Sequence, residues 1–184
     1  LRYVTYPLNV ILHYRVWEAF DLIERWAVIE NRGDTPVTLE RAWSAQWHLP
    51  LGGHYHLTHL SGRWANEFQL RREPLVEGLK VLESRRITTS HHHNPWFAID
   101  RGRTDEAHGD VWFGVLAWSG NWKISAEVTS FFSTRVSIGL NDWDFCWSLG
   151  PQQSFTTPSS IAGYTDQGFD AASHHLHDFI RETV

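Results

Sequence analysis

The chain has 184 residues, a formal charge of −5 and one cysteine. This length suits a single domain that buries its own core, and one cysteine excludes a disulfide framework within the chain. Nucleic acid and anionic membrane surfaces call for a basic excess, which is absent, so we expect neither as a partner. No apolar stretch approaches the roughly 20 residues of a membrane-spanning helix.

The unusual counts are 11 Trp and 12 His against no Met. A Trp side chain has about 150–250 Å² of surface to bury, so a soluble chain must cover most of its indole rings. Trp43 and Trp122 are assigned to a core on this ground. A minority could instead present flat faces to sugar rings. Because the chain begins with Leu1 and shows no signal peptide, we expect a piece of a longer protein.

Hydrophobicity with a period of two dominates the chain and predicts half-buried strands. Residues 37–47 alternate between apolar and polar, with Arg41 as the exception, and the alternation recurs at 122–128 and 136–140. Residues 111–118 are nearly all apolar, which predicts a strand covered on both faces. Ser119-Gly120-Asn121 then predicts a tight hairpin. Strands at such short spacing indicate antiparallel sheets packed face to face.

The last stretch of the chain has a different period. Ala172, Leu176, Phe179 and Ile180 fall at helical spacing and predict one short amphipathic helix. Asp170 is the expected N-cap of this helix. We therefore divide the chain into a β domain over residues 1–168 and a helix over residues 169–184.

Histidines are the most conspicuous candidates for chemistry. Ser90-His91-His92-His93-Asn94-Pro95-Trp96 would place His91 and His93 on one face of an extended segment. Together with His54 and His56 they could bind zinc, although no Cys or carboxylate stands at ligand spacing beside them. The alternative is that they hydrogen-bond loop backbone, and no metal or cofactor is expected.

Cys146 lies between Phe145 and Trp147, which favours an inert buried thiol over a nucleophile. The acidic residues between positions 100 and 144 read as ordinary turn and cap residues. A pair of carboxylates for glycosidic chemistry is therefore hard to identify from these residues.

Several ordered motifs resemble one family, the N-terminal β-supersandwich domain of glycoside hydrolase family 36 α-galactosidases. The motifs span nearly the whole chain and are Leu60-Ser61-Gly62-Arg63-Trp64-Ala65 with Glu67, Ser90–Trp96, His108-Gly109-Asp110-Val111-Trp112, Ser119-Gly120-Asn121-Trp122, Thr134–Asn141, Asp144-Phe145 with Trp147, and Tyr164-Thr165-Asp166-Gln167-Gly168.

The resemblance implies an all-β, antiparallel, galactose-mutarotase-like supersandwich with a short C-terminal helix. In this family the two catalytic Asp residues lie on a (β/α)₈ barrel of some 250 residues that follows the domain. The resemblance therefore implies a non-catalytic, N-terminally truncated domain whose residues 169–184 lead toward an absent barrel. It also implies a homo-oligomer, commonly a tetramer, an α-galactoside substrate and a cytoplasmic location.

The resemblance also implies site residues. The family's N-terminal domain reaches toward a neighbouring subunit's sugar pocket through a segment that matches Gly53–Glu67 here. An Asp and an Arg of the family pattern match His54 and Asn66, so both positions depart from it and would bind sugar more weakly. Trp64 suits a sugar platform, an interface anchor or the sandwich core. His91, His93 and Asn94 are expected to shape a structural loop.

Two other functions stay open at this point. The Trp excess also fits a free-standing carbohydrate-binding β-sandwich. The supersandwich resemblance also fits a mutarotase-like sugar epimerase, in which His91 or His93 would work with Glu106 or Asp110 as acid and base.

Overall fold

A computed structural model describes residues 6–184 of the chain. The described residues form strands and one α-helix, α1, at Gly168–Thr183, and a short 3-10 turn lies at Glu18–Phe20. The strands are, in order, β1 Leu8–Trp17, β2 Leu22–Asn31, β3 Val37–Leu39, β4 Trp43–His48, β5 His56–Arg63, β6 Asn66–Pro74, β7 Gly78–Ser84, β8 Trp96–Asp100, β9 Val111–Leu116, β10 Trp122–Val128, β11 Thr134–Leu140, β12 Trp147–Leu149, β13 Ser154–Thr156 and β14 Ser160–Thr165.

Two antiparallel sheets form the body of the molecule. The large sheet has the order β1-β2-β14-β9-β8-β5-β6, with β13 also paired to β2, and the small sheet has the order β4-β11-β10-β7. Strands β3 and β12 make a separate two-stranded ribbon. The predicted all-β antiparallel architecture with one C-terminal helix is thus confirmed.

The main core lies between the two sheets, where apolar residues from both pack together. Strand β8 shows how the period of two builds it: Phe97 and Ile99 point into this core, whereas Ala98 points to the outer face of the large sheet. Trp122 is fully buried in the main core, as predicted, but Trp43 is only half-buried. A sheet whose two faces are both apolar needs cover on its outer face as well.

Helix α1 provides that cover. Ala172, Leu176 and Phe179 pack on the outer face of the large sheet, while Ile180 is half exposed. Asp170 is not the N-cap, because the helix begins at Gly168 and no side chain caps it. The backbone carbonyls of the 105–106 loop accept hydrogen bonds from the first free N–H groups instead. No helix within residues 6–184 is long and apolar enough to cross a membrane.

Two connections differ from the sequence-based prediction. Ser119-Gly120-Asn121 does not close a hairpin, because β9 belongs to the large sheet and β10 to the small one. The turn therefore carries the chain from one sheet to the other. The alternating run over residues 37–47 is broken into β3 and β4, and Arg41 lies in the break, where it pairs with Asp142 at 2.8 Å.

The prediction of a buried Cys146 is wrong, since its side chain is exposed. Asp144 adopts a φ of 55° in the turn before it, which interrupts the alternation of the flanking residues. Phe145 and Trp147 both pack against Phe155, with ring centroids 6.0 and 5.3 Å away, and the thiol is left facing solvent.

Candidate functional site

The hairpin formed by β5 and β6 presents the most exposed indole ring among the described tryptophans. Arg63 lies opposite Asn66, so Trp64 and Ala65 form a two-residue turn. Ala65 reverses the chain with a φ of 59°, in the left-handed region, and its N–H donates to the Glu67 carboxylate at 2.9 Å. Trp64 is 82% exposed, which excludes the core interpretation of this residue.

His54 lies at the opposite end of β5 from this turn. The strand has eight residues between His56 and Arg63. At about 3.3 Å per residue, the two ends of such a strand are separated by roughly 25 Å. The structure therefore brings Trp64 and Asn66 together, but within one molecule His54 cannot reach a monosaccharide that Trp64 contacts.

The histidine loop, defined as Ser90–Trp96, packs against β5 near the turn of the same hairpin. His93 forms an antiparallel backbone bridge with Ser61, and the N–H of Gly62 donates to the carbonyl of His92 at 3.1 Å. A Cβ on Gly62 would lie 2.6 Å from the carbonyl oxygen of Asn66 and 3.1 Å from that of His91. A glycine is required here because the backbone of the loop and that of the hairpin approach so closely.

The side chains at this junction form a polar cluster around the buried His59. His59 of β5, with 4% of its side chain exposed, contacts Glu73 of β6 at 3.0 Å through Nε2, and Lys80 of β7 pairs with the same carboxylate oxygen at 2.8 Å. The rings of His59 and His93 lie 5.7 Å apart. Hydrogen bonding by Lys80, assisted by His59, holds the pKa of the Glu73 carboxyl below its usual range.

A groove of about 640 Å³ opens between α1 and the outer face of the large sheet. Its walls are mainly apolar and include Leu60, Leu70, Trp96, Phe113, Phe169 and Leu176. Leu60 and Leu70 come from the hairpin, so the groove and the hairpin form one continuous surface. The buried hydroxyl of Thr58 lines the groove and has no hydrogen-bond partner.

One buried ion pair supports this surface. Asp100 of β8 has a fully buried side chain, and Arg72 of β6 contacts both of its carboxylate oxygens, at 3.1 Å through Nε and 2.5 Å through Nη2. The N–H of Gly102 also donates to Asp100. The guanidinium carbon lies 5.4 Å from the centroid of the Phe169 ring, so the pair ties three elements together.

The structure does not bring together the residues proposed for a zinc site or for a mutarotase-like acid–base pair. Within residues 6–184, no group of three His, Cys, Asp or Glu side chains is arranged to hold a metal ion. His91 and His93 precede β8, whereas Glu106 and Asp110 follow it, and the five residues of this strand span roughly 16 Å. Asp110 is already engaged by the Tyr164 hydroxyl at 2.7 Å.

His59 and Arg72 were not predicted from the sequence, and the interpretation of Asp100 as an ordinary turn residue is wrong, because its side chain is fully buried and paired with Arg72. His59 lies in β5 between Thr58 and Leu60, and this mixed polar and apolar sequence gives no signal that the imidazole is buried. Arg72 and Asp100 are 28 positions apart and lie on strands separated by β5. No local sequence pattern predicts such a pair.

Comparison with known proteins identifies the family. The model of the glycosyl hydrolase family 36 N-terminal domain matches residues 1–150. Alpha-galactosidase AgaA of Geobacillus stearothermophilus is 38% identical over 95% of this chain, and bifunctional alpha-galactosidase/sucrose kinase AgaSK of Mediterraneibacter gnavus is 34% identical over 96%. These matches cover 24% and 19% of the two relatives, respectively. The chain thus spans about a quarter or less of their length.

Solved structures agree with this assignment. The crystal structure of the alpha-galactosidase from Lactobacillus brevis superposes with a TM-score of 0.94 at 33% identity, covering 97% of this chain and 24% of that one. A family model that matches most of the chain and a superposition of this quality leave one conclusion: the chain belongs to the glycosyl hydrolase family 36 N-terminal domain family.

Proposed function

We propose that this chain is the non-catalytic N-terminal domain of an α-galactosidase and supports that enzyme's assembly and sugar pocket. The observation that carries the proposal is the match to alpha-galactosidase AgaA, which extends over 95% of this chain but only 24% of the relative. A domain that matches about a quarter of a glycosidase fits an accessory role. The catalytic carboxylates then belong to a (β/α)₈ barrel elsewhere in the polypeptide.

The hairpin and the groove are the surfaces we assign to this role. A contiguous apolar surface that water would otherwise cover is typical of an interface. Trp64 is the proposed anchor at the hairpin tip, where it meets either a neighbouring subunit of a homo-oligomer, such as a tetramer, or an α-galactoside sugar. Asn66 offers an amide to the same partner, and His54 would serve a separate contact. His91, His93 and Asn94 keep the proposed role of shaping the loop beside the hairpin.

The proposal keeps the cytoplasmic location expected from the sequence. Its support is the single cysteine, because extracellular domains of this size more often carry disulfides.

The hydrolysis assay tests the absence of catalysis. Purified chain incubated with a nitrophenyl α-galactoside should release no nitrophenol above the buffer rate, because general acid–base catalysis needs a positioned pair of groups. Alpha-galactosidase AgaA is the positive control. Clear turnover that copurifies with the chain would refute the proposal.

Calorimetry separates the proposal from a free-standing carbohydrate-binding module. Titration of the chain with melibiose or raffinose should give no measurable heat of binding, because a surface that contributes only part of a shared pocket lacks most of the contacts to the sugar. Saturable binding by the chain alone would favour the module.

Replacement of Trp64 tests the role of the hairpin tip. Trp64→Ala should change the free energy of unfolding of the chain by no more than about 0.5 kcal/mol, because the side chain is exposed. In an AgaA enzyme whose matching segment is replaced by this chain, the same substitution should lower kcat/KM roughly tenfold, as expected for an anchor residue worth about 1.4 kcal/mol. An unchanged kcat/KM would remove Trp64 from the proposed site.

A further inference from the structure

The contact between the hairpin and the histidine loop depends on two imidazole rings that face each other in a poorly solvated place. His59 and His93 each have a buried Nδ1 atom without a hydrogen-bond partner. The other nitrogen of His59 contacts Glu73, whose carboxylate can only accept, so Nε2 carries the proton. In the neutral ring, Nδ1 is then a bare lone pair.

Protonation of His93 at Nδ1 is opposed by its surroundings. A new N–H at this atom would point to no acceptor, and the cost of a buried unsatisfied donor exceeds that of a bare lone pair on a neutral ring. The second ring, 5.7 Å away, supplies no compensating charge. Above the two rings, the backbone bridge of Ser61 to His93 and the bond from Gly62 to His92 hold the loop to the strand.

We propose that the contact between His59 and His93 is a pH-sensitive latch, which holds the hairpin to the histidine loop while His93 is neutral and opens when His93 takes a proton from solvent. Opening moves the imidazolium into water and breaks the backbone bonds at Ser61 and Gly62. The hairpin that carries Trp64 thereby loses its lateral support. The inference concerns this junction itself and does not depend on the proposed function.

The charged and titratable groups around His93 affect how readily its ring takes up a proton. His59 faces it from β5, and Lys80 from β7 adds positive charge, as does His92 within the loop. The sole carboxylate in the cluster, Glu73, is already paired with Lys80 and His59. His91 packs against His92 at 4.5 Å, and Arg86 lies close enough to oppose a charge on His92. Protonation of His93 therefore adds a positive charge beside Lys80 that no unpaired carboxylate of this cluster balances.

The direction of the pH effect follows from these surroundings. Burial, and next the proximity of His59, hold the pKa of His93 below its ordinary value, while the Leu60 carbonyl acts in the opposite direction. The open loop takes up its proton near the ordinary value of about 6.5. The closed state is therefore fully favoured above about pH 6.5 and loses stability as the pH falls through and below that value.

Amide hydrogen exchange on the full 184-residue chain tests the latch. After correction for the intrinsic rate, the protection of the Gly62 amide should fall by about threefold or more between pH 7 and pH 5, while amides of the main core stay protected. An NMR titration of the His93 ring should share the midpoint of this change. A constant Gly62 protection across this range would overturn the proposal.

Substitutions distinguish a switch from a merely structural contact. His93→Gln removes the titrating group and should abolish the pH dependence of Gly62 protection. His59→Gln removes the opposing ring, so it should bring the pKa of His93 in the closed state nearer its ordinary value and weaken the pH dependence of Gly62 protection, a change that can be measured even if His93→Gln does not fold. His174→Gln is the control, because this histidine is exposed on α1, and it should behave as the unaltered chain. A pH dependence that persists in His93→Gln, or one that is undiminished in His59→Gln, would refute the latch.

Discussion

Replacing Arg72 by Ala should lower the free energy of unfolding of the chain by about 3 kcal/mol. The reason is the asymmetry of the ion pair: the Asp100 side chain is fully buried, whereas Arg72 keeps a third of its side chain exposed. Removal of the guanidinium leaves a buried carboxylate that keeps the N–H of Gly102 as a donor. Urea denaturation followed by circular dichroism measures the loss.

Two further variants make this prediction specific. Asp100→Asn removes the buried charge but keeps an oxygen for Gly102, so it should cost less than Arg72→Ala. Arg15→Ala breaks an exposed pair with Glu24 at 3.2 Å and should cost no more than about 1 kcal/mol. If Arg72→Ala proved no more costly than Arg15→Ala, the supporting role of the buried pair would be wrong.

Replacing Trp122 by Ala should cost about 3–5 kcal/mol of unfolding free energy, the range of aromatic truncations in a packed core. Trp122 is fully buried between the two sheets, and its indole N–H donates to the Thr89 hydroxyl at 3.2 Å. Truncation both opens a cavity and leaves that hydroxyl without its donor. The expected result is a loss of cooperative unfolding or a large drop in the urea midpoint.

Trp64→Ala is the matched control, since it deletes the same side chain from an exposed position. The division of the tryptophans into core and surface requires a difference of several kcal/mol between the two variants. Equal losses would show that this division is mistaken.

The sequence predicted the parts of the fold that depend on local periodicity. Alternation over residues 122–128 coincides with β10, and the predicted helix over residues 169–184 agrees with α1 within one residue at each end. The pairing of the strands was harder to predict from the sequence. Ser119-Gly120-Asn121 indicates that the chain turns, but long-range packing decides that β10 joins β7 and β11 instead of β9.

The residues of the candidate site also divide into those that a local motif identifies and those that depend on long-range pairing of strands. Trp64 was identified because its motif resembles the family, and the structure places it at an exposed turn. The cluster of His59 with Glu73 could not be found, because the irregular register between Ser61 and Arg63 shifts the two strands against each other. Arg72 reaches Asp100 across an intervening strand, and such a contact exists only once the sheet order is known.

The most direct test of the proposed role is the grafted enzyme, in which this chain replaces the matching segment of alpha-galactosidase AgaA. The account predicts that the graft hydrolyses a nitrophenyl α-galactoside with kcat/KM within roughly a hundredfold of AgaA, a barrier difference of less than about 3 kcal/mol. AgaA lacking the segment should be inactive. A graft that unfolds cooperatively yet shows no hydrolysis would contradict the account.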